Sequence, residues 1–544
     1  TLGDEDIRAL SIGVNGKGLD ARWALASAYG EFMERLQNGV LLPQRQSRFA
    51  TARYWQSSPD VGSTLHKRLR ERDLILDHLY APDEVYLESG QVVAECGDVL
   101  THMLRVSGGA LLAEYLHGVS GGEPIPCLPF CSLTLGRVRP IPAEMLRLTC
   151  ASNGMCAGNT SSEALVQGLS EVVERYVVRR LQLDGAVPPS VPIEYFAGTV
   201  VHDRLRRLQE SMGITAIVKD CSLGEGLPAL GLLLVDRERG RWAFHIGADP
   251  SPITALERCL TEVYQGDRHA VAGRFHPLPG QEAGAGPDGR GGPSEDALTE
   301  RRAAYYEAIV YGSGRYPAAI LGGEPGYDFA GFEHPLSISD EDDLRYLVDK
   351  VSDLGFDVHI RDVSALGFPA FQVYVPGMSE NDHWMTAAER YSFMQVLSHV
   401  RTLLDLRRAD RSARERLAVA LSTALARNTP STLQPSRWFL SHDSEDLRRL
   451  GADELLARLR LSLGESGPAT ASSGRSGAAV WGPGSADAAS EQAWAGLPLP
   501  TCFDCGVCPL EPSCRYIAMI GRVRKVQERQ RDRFPDQSAV ATLL

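Results

Sequence analysis

Apolar residues recur at helical intervals most clearly over 161–177, where Leu165, Val166, Leu169, Val172, Val173, Tyr176 and Val177 fall three, four or one apart. The spacing predicts an amphipathic helix. A glycine-rich turn, SNGMCAGNT, leads into it; Asn159 and Thr160 suit a helix start, and Glu163 stands three positions after Thr160, as in a capping box. The polar positions are patterned as well: Glu163, Gln167, Glu171 and Glu174 follow at intervals of four, four and three and line one side. Glutamates so placed repel by roughly a few tenths of a kcal/mol per pair unless a cation sits among them. Taken alone, the segment also fits a solvated acidic face.

Two further stretches repeat the plan. Aligning Gly18 on Gly158 brings Glu31-Phe-Met-Glu34-Arg35 onto Glu171-Val-Val-Glu174-Arg175 without a gap, and Asp20 is placed to start that earlier helix. The third stretch, PITALERCLTEVYQ over 252–265, opens with Pro252 at a first helical position and ends in Glu262-x-x-Gln265. Helices that bring such faces together make an oxygen-rich cavity, which suits a hard cation such as Mg²⁺ together with nucleotide phosphate oxygens. Arg175 and Arg258 lie beside the carboxylates in sequence and are candidates to meet those phosphates. Each arginine by itself reads equally as a surface residue.

The remaining pattern is mixed. A strand is expected over 6–14, a helix over 55–80 and strand-like pieces over 84–119. Further strands are expected over 214–223, 227–236 and 241–248, the second apolar enough to be buried. A helix followed by a strand fits 344–363, and another strand fits 368–375. The class is α+β, with a catalytic domain over 1–386. Beyond it, 387–407, 413–427 and 444–461 read as helices, so 387–544 forms a mainly helical C-terminal region. The stretches 277–296 and 462–490 hold too few large apolar groups to build a core and are expected as a flexible insertion and a loop.

Length and charge narrow the function. A chain of 544 residues builds its core without disulfide support. A formal charge of −13 argues against direct nucleic-acid binding, since that needs a basic stripe, but leaves a magnesium–nucleotide site open. No apolar run is long enough for a membrane span, and TLGDEDIRAL lacks the parts of a signal peptide, so a cytoplasmic location is expected. Seven of the eleven cysteines are scattered and read as small core residues; Cys127 and Cys131, four apart around a proline, are not expected to bind metal. The other four, Cys502-x-x-Cys505-x-x-Cys508 and Cys514, are soft ligands at spacings that can wrap zinc, the first choice, or an iron–sulfur cluster. Free thiols or a disulfide pair remain the alternatives.

The segments NGKGLDARWALASAYGEFMERL, SNGMCAGNTSSEALVQGLSEVVERYV and ALERCLTEVYQGD resemble the three ATP-binding signatures of the YcaO family, and LRYLVDKVSDLGFDVHIRDVSALGFPAFQVYVPGM resembles its later strand and helix segments. The resemblance covers about residues 10–385 and is nearest to stand-alone bacterial members linked to methylthiolation of ribosomal protein S12. It implies a YcaO-type ATP-binding fold and an enzyme that phosphorylates a backbone amide oxygen so that a nucleophile can replace it. Side chains give azolines, sulfide a thioamide and an amine an amidine. It further implies Glu31, Glu34, Glu163, Glu171, Glu174, Glu262 and Gln265 as magnesium ligands, direct or through water. Lys17, Ser27, Asn159, Gln167, Arg175 and Arg258 are implied as nucleotide contacts, with Glu171, Glu174 and Arg175 catalytic.

The implied partners are a peptide or protein substrate, a protein supplying substrate recognition or sulfur, and a second copy of the chain. Two departures bear on the reaction. Gln265-Gly266 is followed by Asp267 before Arg268, and the chain ends AVATLL rather than in the proline-rich tail common in azoline-forming members. Thioamidation or an accessory role is therefore expected ahead of cyclodehydration, with a metal-containing adaptor as a further alternative. The family's usual N-terminal region is short or absent, and with it some ATP or peptide contacts.

Overall fold

The computed structural model of the chain describes residues 14, 16–18, 20–39, 81–120, 124–263, 275–279, 295–334, 338–384, 402, 406, 409–426, 451–465, 493–494, 529 and 531–543. Outside them lie nearly all of the strand expected over 6–14, the helix expected over 55–80, and most of 277–296, 387–407 and 462–490.

The first helix, α1 (Ala21–Gln37), starts where Asp20 accepts from the N–H groups of Arg22 and Trp23 at 2.8 and 3.0 Å. After it, β1 (Val85–Leu87) is the one strand among the described residues of 84–119; the rest forms α2 (Ser89–Leu104) and α3 (Gly109–Ser120). The expected strand-like pieces are corrected by period. Val92, Cys96, Val99, Leu100, Met103 and Leu104 return every three or four residues and bury one stripe of α2.

Strands β2 (Ile125–Ser132) and β3 (Arg137–Pro142) form a hairpin, and α4 (Ala143–Cys150) and β4 (Met155–Ala157) lead into α5 (Ser161–Arg179). After β5 (Ser190–Val191) and α6 (Val200–Met212), the meander β6 (Ile214–Asp220), β7 (Ala229–Asp236) and β8 (Arg241–Ala248) matches the three expected strands. Helix α7 (Pro252–Val263) begins at Pro252 as its sequence predicts. The α+β body continues through β9 (His276–Pro277), α8 (Glu295–Tyr311), α9 (Ala319–Gly322), α10 (Asp340–Asp353), β10 (His359–Asp362) and β11 (Ala370–Tyr374).

Two antiparallel sheets result. One has the order β1-β2-β10-β11-β4 with β3 paired to β2; the other has the order β5-β6-β7-β8-β9. Strand β7 is buried at every position because both its faces are covered. Leu230, Leu232 and Leu234 share a cluster with Leu256, Cys259 and Leu260 of α7. Ala229, Leu233 and Val235 share another with α5.

Helix α5 bridges the sheets. Leu165, Leu169, Val172, Val173 and Val177 join a core that includes Phe371 and Val373 of β11 and Phe244 and Ile246 of β8. The approach to β4 is close: a Cβ on Gly168 would stand 2.6 Å from Cys156 Sγ and 3.1 Å from its Cβ. The helix is therefore buried around most of its circumference, and the polar row is what remains open.

Two C-terminal helices, α11 (Arg411–Ala426) and α12 (Ala452–Ser462), bear out the helical reading there; their Leu417, Leu421, Leu455 and Leu459 share a core with Leu100, Met103, Leu112 and Leu116 of α2 and α3. Near the end of the chain, Gln537 donates to the Asp362 carbonyl at 2.9 Å and accepts from its N–H at 2.8 Å, which holds a short turn against β10 while Val540 enters the core. Among the described residues, no helix is long and apolar enough to cross a membrane.

Candidate nucleotide and metal site

The sequence repeat is a structural repeat. The offset that aligns Gly18 on Gly158 places the N-cap of α1, Asp20, on that of α5, Thr160. Both glycines then fold against the opening turn in the same way. A Cβ on Gly18 would lie 2.5 Å from Ala24 N, and one on Gly158 would lie 2.8 Å from Ala164 N. Any larger residue would lift the turn from the helix.

The Glu-x-x-Glu-Arg endings meet at one place. Glu34 of α1 is charge-coupled to Glu31, Glu171, Arg35 and Lys17, while Glu174 of α5 is coupled to Arg175, Glu262 of α7, Lys17 and Glu171. Arg175 lies 3.8 Å from Glu171, Arg35 lies 3.3 Å from Glu34 and 3.6 Å from Glu31, and Lys17 forms an ion pair with Glu262. Burial raises Glu34 to about 8 against the pull of Arg35, with Glu171 and Glu31 adding to the rise. Burial likewise raises Glu174 to about 7 despite Arg175. Burial opposes ionisation of Glu262 too, yet Lys17 and Arg175 together hold it below its usual range.

The other end of the α5 row is arranged differently. Thr160 Oγ1 accepts from the Glu163 N–H at 3.0 Å, and Glu163 accepts from the Asn159 N–H at 2.7 Å and its side-chain amide at 2.9 Å. The Thr160 half of the expected capping box forms, and Glu163 reaches back to Asn159, one residue before the cap. Glu163 thus stands two turns from Glu171, roughly 12 Å along the axis at 1.5 Å per residue. Between them, Arg258 of α7 donates to Gln167 at 2.6 Å. Ser27 accepts from the Lys17 N–H at 3.1 Å and fixes the turn that carries the Lys17 ammonium.

The family model described as YcaO cyclodehydratase, ATP- and Mg²⁺-binding, matches residues 15–379. The chain belongs to the YcaO family. It is 26% identical over 377 residues to the ribosomal protein S12 methylthiotransferase accessory factor YcaO of Escherichia coli K12, an alignment covering 68% of this chain and 58% of that protein. The chain thus spans less than two thirds of the curated relatives it matches. Among solved structures, a heterocyclase in complex with substrate and cofactor is similar at a TM-score of 0.43 and 18% identity, over 67% of this chain and 44% of that one. The YcaO of Methanopyrus kandleri bound with AMPPCP and Mg²⁺ is similar at 0.33 and 23% identity, over 48% and 67%.

The side chains fit the cation that the YcaO family implies. Five carboxylates, Glu31, Glu34, Glu171, Glu174 and Glu262, face three described cations, Lys17, Arg35 and Arg175, an excess of two negative charges when all are ionised. Every donor in the set is a hard oxygen, which suits magnesium. Among the described residues no three His, Cys, Asp or Glu side chains are grouped closely enough to hold a metal by themselves. Nucleotide phosphates and water are the oxygen sources that complete such a shell.

Gln265, Cys502, Cys505, Cys508 and Cys514 lie outside the described residues. The seven scattered cysteines are buried free thiols, as expected. Three neighbours of the site escaped the sequence reading. Asp249, at the end of β8, accepts from Arg258 at 3.1 Å. Tyr316, buried edge-on against Phe244 at 5.0 Å, adjoins Glu174 and Arg175, and His245 adjoins Glu262. Only the position of Asp249, shortly before a helix-starting proline, carried a local signal; the other two are brought in by sheet packing.

Proposed function

We propose that the chain catalyses ATP- and magnesium-dependent modification of a peptide or protein backbone amide, with residues 1–386 as the catalytic domain and 387–544 as an attached helical region. The supporting observation is the convergence of three helices' Glu-x-x-Glu or Glu-first faces around Arg175 and Lys17. The γ-phosphoryl group passes to the amide oxygen, ADP leaves, a nucleophile adds at the carbonyl carbon, and phosphate departs with that oxygen. Magnesium, when bound, offsets phosphate charge and orients the chain of phosphates.

The protein's own contribution is placement and charge. Glu31, Glu34, Glu171, Glu174 and Glu262, with Glu163 and Gln265 at the margins, would hold magnesium or its water. Arg175, half-buried among carboxylates, keeps its positive charge and would stand where phosphate charge grows. Lys17, Ser27, Asn159, Gln167 and Arg258 would align the nucleotide. Sulfide is the nucleophile we favour, giving a thioamide.

Mass spectrometry of a candidate peptide incubated with chain, ATP and sulfide separates the products: sulfur for oxygen marks thioamidation, and loss of water marks azoline formation. Peptide-stimulated ATP hydrolysis is expected to vanish in Glu171→Ala; equal hydrolysis by that variant would sink the proposal. The match to the E. coli accessory factor favours a second reading, a nucleotide-binding protein that serves sulfur insertion by a partner. ATP binding without turnover, together with a stable protein partner, would select it. We also propose metal binding by Cys502, Cys505, Cys508 and Cys514. About one zinc or an iron–sulfur cluster per chain is expected on elemental analysis, with loss in Cys505→Ser; a metal-free purified chain rejects it.

A further inference from the structure

We propose that Asp249 is a positioning residue that aims Arg258 into the nucleotide site. The inference rests on the proposed nucleotide role of Arg258. Helix α7 lies directly on β8 at Gly247, where an added Cβ would come within 2.4 Å of Ala255 O and 2.8 Å of Arg258 Cβ. The base of the arginine is thus fixed against the sheet. Its tip is fixed by Asp249: Oδ2 accepts from Arg258 Nη2 at 3.1 Å, while Oδ1 accepts from the Ser251 N–H at 3.0 Å. The carboxylate cannot turn away without giving up both bonds.

The same Nη2 donates to Gln167 Oε1 at 2.6 Å. A guanidinium has five N–H donors. With the two on Nη2 committed to Asp249 and Gln167, those on Nε and Nη1 have no acceptor among the described residues, and the side chain is 25% exposed. Asp249 is itself buried, at 7% exposure, so it has little access to solvent or ligand. It acts through Arg258, which is left with a fixed plane and unspent donors beside Gln167. Such a fork is matched to a phosphate or to an acceptor edge of a nucleotide.

A double-mutant cycle on the full chain tests this by calorimetric titration with Mg–ATP, alongside thermal unfolding. Arg258→Ala and Asp249→Ala are each expected to weaken binding roughly tenfold. The double variant is expected to bind no more weakly than the weaker single variant, because the second change removes support for a group already gone. Asp249→Asn, which keeps the shape and one acceptor, is expected to recover part of the loss and serves for the cycle if the alanine variant does not fold. Wild-type affinity in both Asp249 variants, or losses that multiply in the double variant, would overturn the positioning role while leaving the nucleotide site standing. No ATP binding by the wild type, or unchanged binding by Arg258→Ala, would overturn the nucleotide reading and this inference with it.

Discussion

Glu174→Gln is expected to lower Mg–ATP turnover about a hundredfold or more and, at pH 8, to raise the melting temperature of the ligand-free chain by roughly 1–3 °C. The two effects have one cause. Glu174 is held among carboxylates, and burial raises it from 4.5 to about 7, with Arg175 opposing and Glu262 and Glu171 adding to the rise. A carboxyl that is harder to ionise in the folded chain than in the unfolded one costs nothing below about 4.5, where it is protonated in both states. The cost grows as pH rises through the window to about 7 and is on the order of 1–3 kcal/mol above it. An amide of the same shape carries no such penalty.

The stabilisation should therefore be absent at pH 4 and full at pH 8, read from unfolding curves in chelator without nucleotide. Glu34→Gln should behave alike, with its window reaching about 8. On the proposed magnesium role of Glu174, turnover is expected to fall by about a hundredfold or more because the amide supplies no charge to offset a divalent cation. A variant that melts at the wild-type temperature at pH 8, or retains turnover, contradicts this account of the cluster. On the proposed function, activity opposes stability, because the repulsion is stored where the cation would bind.

Gly168→Ala is expected to destabilise the chain, although alanine favours a helix over glycine by about 1 kcal/mol at an ordinary position. The added Cβ would fall 2.6 Å from Cys156 Sγ and 3.2 Å from Gly154 O, so α5 or β4 must move. Both are backbone-anchored: Met155, Cys156 and Ala157 pair with Gln372, Phe371 and Ala370 of β11. Overpacking of this kind costs about 1–3 kcal/mol, more for Gly168→Val. In urea unfolding the expected loss is about 2 kcal/mol for alanine, partly recovered by adding Cys156→Ala, which removes the nearest atom. A neutral Gly168→Ala would show that the helix stands further from the sheet than the structure places it. Because Gln167 and Glu171 flank Gly168, a displaced α5 should also weaken Mg–ATP binding.

The two halves of this protein were legible to different degrees. Local pattern was enough for α5, α7 and β7: their apolar residues repeat at 3.6 or fill a whole strand, and Thr160, Asp20 and Pro252 mark helix starts by chemistry acting within one turn. The duplicate Glu-x-x-Glu-Arg motif was visible because helix faces are set by spacing. The same local logic failed over 84–119, where clustered apolar residues gave strand-like fragments until burial of one stripe of α2 showed the longer period.

The sequence by itself determined which carboxylates share a face, that the class is α+β, and that cations must sit among those glutamates. Only the tertiary structure decided which faces meet. Glu34, Glu174 and Glu262 belong to helices far apart in the chain, and their approach depends on two sheets packing against α5 through contacts as close as that at Gly168. The same packing brought in Asp249, His245 and Tyr316. Hydrophobic periodicity reports how each element is buried; it carries no information on which distant element buries it. Charge is long-ranged and cooperative only after that burial lowers the local dielectric, so the cluster's chemistry belongs to the fold.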